Sequence, residues 1–176
     1  MEEDIMAEAV TKDKGRFDEL AGKYLTFNIG AEVYGISIMQ VKEIIGAANQ
    51  EIHEVPRMPD FAKGVVNLRD HVIPVVSLRL RFGLEEIEVT DRTCIVVTEV
   101  TSESGHHVLM GLVVDSVYEV LQVASEEIEP PPSFGATLDA AYLLGIAKVK
   151  KSVNILLDID KVLAAEELKA VTAAAS

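Results

Sequence analysis

The chain has 176 residues, 49% of them hydrophobic but only 5% aromatic and none Trp, so it is long enough to bury a core and builds it from aliphatic side chains. Its 29 acidic residues against 16 basic ones give a formal net charge of -13, which repels phosphate backbones and anionic lipid and speaks against nucleic-acid partners. No apolar run approaches the ~18 residues that cross a bilayer, and the acidic start Met1-Glu2-Glu3-Asp4 is the opposite of a secretory signal. The expectation is a soluble cytoplasmic protein with no direct membrane insertion.

Residues 1–22 hold Glu, Asp and Lys without a sustained apolar period and read as a flexible N-terminal tail. From Tyr24 onward, short Val- and Ile-rich runs alternate with Gly, Pro or charged clusters, which predicts strands at 24–29, 33–38, 64–68, 72–78, 93–99, 107–114, 145–149 and 153–158. The single cysteine, Cys94, falls inside the apolar run Thr93-Cys94-Ile95-Val96-Val97 and reads as a buried, inert thiol. Ser104-Gly105 separates two runs as a hairpin turn would, and Pro130-Pro131-Pro132 must be a loop. Asp158 and Asp160 stand before Val162, Leu163 and Leu168, the pattern of a capped helix docking by its Val and Leu face. Residues 169–176 are left as a C-terminal tail.

The chain also repeats itself. Tyr34-Gly35-Ile36 through Val41-Lys42-Glu43-Ile44-Ile45 aligns with Met110-Gly111-Leu112 through Val117-Tyr118-Glu119-Val120-Leu121, and Phe61 to Leu68 aligns with Tyr142 to Val149, matching Gly64 to Gly145. Two copies of a strand-rich unit predict a mainly β fold of two similar small barrels side by side. The first is assigned residues 23–90 and the second, with the C-terminal helix, 91–168. The seam between them is a natural docking place.

No residue pattern in the sequence points to catalysis. His53, His71, His106 and His107 lie in no metal-ligand spacing, with the adjacent pair next to a turn. The glycines form no phosphate-binding run, and Glu85-Glu86 and Glu126-Glu127 read as solvated acidic surface. The expectation is therefore a protein with no catalytic residues, metal or cofactor.

The segment Lys63-Gly64-Val65-Val66-Asn67-Leu68-Arg69-Asp70, followed by Val72-Ile73-Pro74-Val75-Val76-Ser77-Leu78-Arg79, resembles the signature of the CheW family of bacterial chemotaxis adaptors. The likeness extends from about Tyr24 to Ala165. It implies two five-stranded SH3-like barrels and a non-enzymatic adaptor coupling two partners: the cytoplasmic tip of chemoreceptors and the regulatory domain of a CheA-type histidine kinase, which is implied to meet the barrel ends. It further implies a place at receptor arrays on the inner membrane, held there by those partners.

Matched position by position, the resemblance assigns receptor contacts to Val41, Glu43, Arg69, Val117 and Val120, and turn support to Gly64 and Asp70. The valines fit a docking groove and a barrel core equally well. Asp70 stands where the family usually has Gly, so its carboxylate is expected beside Arg69, competing for partner contacts. Two alternatives remain at this point: the same module cut from a larger kinase or CheV-type protein, and a small oligonucleotide-binding barrel, which the charge and the few aromatics oppose.

Overall fold

The computed structural model describes residues 18–102, 104–131 and 140–163. The strand order along the chain is β1 Gly22–Ile29, β2 Glu32–Ser37, β3 Val41–Gly46, β4 Ala62–Leu68, β5 His71–Ser77, β6 Cys94–Thr101, β7 His107–Val114, β8 Ser116–Val123, β9 Ile128–Glu129, β10 Leu143–Val149 and β11 Ser152–Leu157. Two single-turn helices, α1 Leu78–Arg81 and α2 Ile159–Val162, follow β5 and β11. The strands form two sheets, in the orders β8-β1-β2-β11-β10-β9 and β3-β6-β7-β5-β4.

This is the mainly β, two-barrel architecture that the repeat implies, and its details repeat as well. The edge of β4 is met by a single bridge from His53 to Val65, where β10 is met by β9. The first hairpin turns at Arg69 (φ 49) and Asp70 (φ 67), and the second at Lys150 (φ 50) and Lys151 (φ 68), both two-residue turns with left-handed backbone. The Ser77 amide donates to the Phe61 carbonyl and the Asp158 amide to the Tyr142 carbonyl, each at 2.8 Å. Ser77 and Asp158 in turn cap α1 and α2 with their side chains. Val162 and Leu163 are buried, as the sequence leads one to expect, whereas Leu168 lies outside the described residues.

Strand pairing runs across the expected division of the chain at residue 90. β1 and β2 join the sheet of β8, β11, β10 and β9, while β6 and β7 join that of β3, β4 and β5. Each sheet therefore combines the first two strands of one repeat with the remaining strands of the other. The junctions are alike: β2 runs parallel to β11 through Gly35 and Leu156, and β7 runs parallel to β5 through Gly111 and Val75. Glycine stands at both crossings: a Cβ on Gly35 would press on Leu156 Cδ2 at 3.2 Å, and one on Gly111 on Ile95 Cγ2 at 2.8 Å and Val75 Cγ2 at 3.4 Å, so a larger residue at either position would require its neighbours to shift.

The main core cluster draws on both sheets, from Phe27 and Ile36 to Val96, Leu112 and Leu157, and two smaller separate clusters form around Val123 and Ala147 in one sheet and around Val66 and Ile95 in the other. At the seam the Arg81 guanidinium stacks on two repeat-equivalent rings, 5.0 Å from the Phe61 centroid and 5.2 Å from that of Tyr142. It donates to the Tyr142 hydroxyl at 2.7 Å and to the Val162 carbonyl at 3.1 Å, hydrogen bonds that fix the half-buried guanidinium between the two rings.

Candidate functional site

β3 and β8 stand at the ends of their sheets, so each offers one unpaired backbone edge. Both carry a β-bulge at the same place. On β3, Val41 faces Thr98 and Glu43 faces Val97, leaving Lys42 as the extra residue. On β8, Val117 faces Phe27 and Glu119 faces Thr26, leaving Tyr118. A bulge breaks the strict in-and-out alternation and turns the extra side chain outward, and Tyr118 is accordingly 66% exposed. The buried Thr26 hydroxyl donates to the Glu119 carbonyl at 2.8 Å and accepts from the Glu119 amide at 3.1 Å, stabilising the irregular backbone there.

The five residues singled out from sequence fall into two repeat-related patches. Glu43 and Arg69 come together, with Arg69 Nη2 donating to Glu43 Oε1 at 3.0 Å. Because β3 and β4 are the two ends of one sheet, this pair staples the β4–β5 turn to the far edge strand. Arg69 remains 78% exposed, so the pair contributes only about 0.2–1 kcal/mol and leaves guanidinium donors facing solvent. Val41 and Val117 are half-buried against the main core, one from each sheet, while Val120 projects into solvent. The open choice between core and groove thus resolves differently by residue: Val120 is surface, and the other two are boundary residues.

Asp70 takes a left-handed conformation at which a side chain is strained unless it is Gly, Asn or Asp, and the hairpin keeps its two-residue turn. Its expected pairing with Arg69 is not formed; Glu43 holds the guanidinium instead. Gly64 lies inside β4, next to the register irregularity at Ala62, and at φ +134 its Cα is so close to the bridging segment that a Cβ would sit 2.1 Å from the His53 carbonyl oxygen.

On or next to β3 and β8, three further exposed apolar side chains were not singled out from sequence: Tyr118, Ile44 (42% exposed) and Met39 (81%). Ile44 was recoverable, because the repeat aligns it with Val120. Cys94 corrects another expectation. Its thiol is half-buried, donates to the Arg92 carbonyl at 3.3 Å and lines an open groove of about 470 Å³ with Asn28, Ser116, Val117 and Tyr118. Among the described residues no cluster of His, Cys, Asp and Glu is arranged to hold a metal ion, and no helix is long and apolar enough to cross a membrane.

Residues 23–167 match the family model described as the CheW-like domain. The chain is 36% identical over 163 residues to the chemotaxis protein CheW of Klebsiella aerogenes, covering 93% of this chain and 94% of that one. It is 33% identical to the CheW of Treponema pallidum, covering 82% and 84%. Among solved structures it superposes on the scaffolding protein TtCheW from Thermoanaerobacter tengcongensis with a TM-score of 0.72, at 31% identity, over 84% of this chain and 95% of that one.

Proposed function

The chain belongs to the CheW-like family, a scaffold of chemosensory signal transduction, and from that membership we propose that it couples the cytoplasmic tip of chemoreceptors to the regulatory domain of a CheA-type histidine kinase. The observation that carries this reading is the doubled edge-strand patch. Ile44 and Val120 occupy equivalent positions on β3 and β8 and both point outward, although a small barrel gains by turning aliphatic side chains inward. Beside the first lies the exposed Glu43–Arg69 pair.

An amphipathic receptor helix can lay apolar side chains against Val41, Val117 and Val120, while Glu43 and Arg69 fix its register at the rim. The kinase's regulatory domain docks at the barrel ends. The protein supplies contact geometry, with no cofactor and no reaction of its own, and works in the cytoplasm at receptor arrays on the inner membrane.

The test is Arg69→Glu in a reconstituted mixture of receptor fragment, kinase and this protein. Reversing one end of an exposed pair changes folding stability by no more than about 1 kcal/mol. Receptor-dependent kinase activation should fall about tenfold, the equivalent of roughly 1.4 kcal/mol of lost docking energy. Normal activation by a normally folded Arg69→Glu protein would remove this residue from the site.

A further inference from the structure

The exchange of strands between repeats leaves neither half of the chain self-sufficient. Residues 22–82 present the free edges of β1, β2, β3 and β5 that β8, β11, β6 and β7 of residues 94–163 cover. The halves are joined only by residues 83–92. All ten are exposed, between the buried anchors Phe82 and Thr93.

The ends of that linker are tied locally, the Leu84 amide donating to the Arg79 carbonyl at 2.8 Å and the Thr90 amide to the Thr93 hydroxyl at 2.9 Å, but its middle is weakly held. The backbone groups of residues 86–89 make no hydrogen bond. Towards that middle the remaining ties are the Lys63–Glu86 ion pair and an Arg79 Nη1 donation to the Glu85 carbonyl at 3.0 Å. Ile87 and Val89 are 51% and 56% exposed above an open cavity of about 250 Å³, so packing adds little.

We propose that residues 83–92 are a hinge, and that the surface exposed when it opens takes a second copy of this chain, giving a reciprocally exchanged dimer in which each two-barrel unit combines residues 22–82 of one chain with residues 94–163 of the other. The occupant follows from complementarity: the strand edges, the parallel crossings at Gly35 and Gly111 and the clamp on Arg81 fit the other half of this same sequence. Every contact of the closed chain re-forms in the dimer except the path of the linker. The balance between the two is therefore set by the linker's reach and by protein concentration. Resting on the adaptor reading, the dimer carries two complete sets of docking residues on one connected particle, which can bridge two partner molecules.

The native thiol supplies the test. Gly46 on β3 and Cys94 on β6 are register partners from different halves, and a Cβ on Gly46 meets nothing closer than Asn49 Nδ2 at 3.6 Å. Facing residues of an antiparallel pair are about 4.5–5.5 Å apart at Cα, within the reach of a disulfide. G46C is prepared in the full chain and in a version with residues 86–89 deleted, oxidised with glutathione disulfide and run without reductant. In parallel, the mass in solution is read by light scattering.

The deletion should shift the protein to twice the 19.1 kDa chain mass, with the 46–94 disulfide joining two chains. If the deleted chain does not fold, the full-length G46C chain refolded from denaturant at about 1 mM should give the same linked dimer beside the monomer, since such concentrations rival the effective concentration of a short linker. A protein that stays monomeric in both conditions overturns the proposal. So does a dimer whose 46–94 disulfide lies within one chain, because it would have formed by surface contact without exchange. Failure of either kind leaves the adaptor reading standing, since that reading is tested by kinase activation.

Discussion

Gly64→Ala probes the geometry that both barrels share. At φ +134 the position strains any side chain, and the added methyl would lie 2.1 Å from the His53 carbonyl oxygen and 2.8 Å from its carbon. Relief requires the segment at His53 to leave β4, which breaks the His53 amide to Val65 carbonyl bond and its reciprocal, both 2.9 Å. Two such bonds at about 0.5–1.5 kcal/mol each, with about 1–3 kcal/mol for the strained backbone, give a loss of about 2–6 kcal/mol. The repeat provides an internal reference. At Gly145 the methyl would lie 2.9 Å from the Glu129 carbonyl oxygen and φ is not positive, so Gly145→Ala should cost less, about 1–2 kcal/mol. Urea denaturation followed by circular dichroism gives both values. A loss below about 1 kcal/mol for Gly64→Ala, or a larger loss at Gly145 than at Gly64, would refute the reasoning.

Cys94 should react with a maleimide in the native protein, because its thiol lines an open groove, and a saturating receptor fragment should slow the reaction if docking reaches Val117 in the same groove; mass spectrometry over time reads both. Unprotected labelling would place receptor docking elsewhere. Alkaline stability is the second expectation. Burial raises the pKa of Tyr24, and burial with the nearby Glu32 carboxylate raises that of Tyr34. A raised pKa means that the folded state holds its protons more tightly than the unfolded chain, so this stabilisation is complete below the ordinary tyrosine value of about 10 and is lost as pH climbs through the higher folded values. Thermal melts should fall with pH above about 10 and fall less steeply in Tyr24→Phe and Tyr34→Phe; equal slopes in all three proteins would contradict this.

Much of the fold was legible because its central strands are aliphatic on both faces. Runs such as Ile73 to Val76 and Ile95 to Val97 sit fully inside and stand out from the charged segments around them. β3 and β8 were not among the predicted strands because each is an amphipathic edge strand broken by a bulge, so neither Val41-Lys42-Glu43-Ile44 nor Val117-Tyr118-Glu119-Val120 keeps period two. The repeat identified which residues are equivalent but not which pair with which. Local pattern carries no record of long-range register, so the exchange of β1 and β2 for β6 and β7 appeared only in three dimensions. At the site, Arg69 and Gly64 were visible through a motif with strict geometric demands. The Glu43 partner of Arg69 was hidden because the two lie on opposite ends of the same sheet. Cys94 was misjudged because it opens β6, where its side chain packs partly against the main core and still lines the groove.

Sedimentation of receptor-fragment assemblies with a CheA-type kinase, with and without this protein, measures the adaptor claim itself. The kinase should reach the pellet, and its autophosphorylation should respond to receptor state, only when the protein is present, and both effects should weaken with Arg69→Glu. Kinase that pellets and responds equally well without the protein, or a protein that binds neither partner, would contradict it.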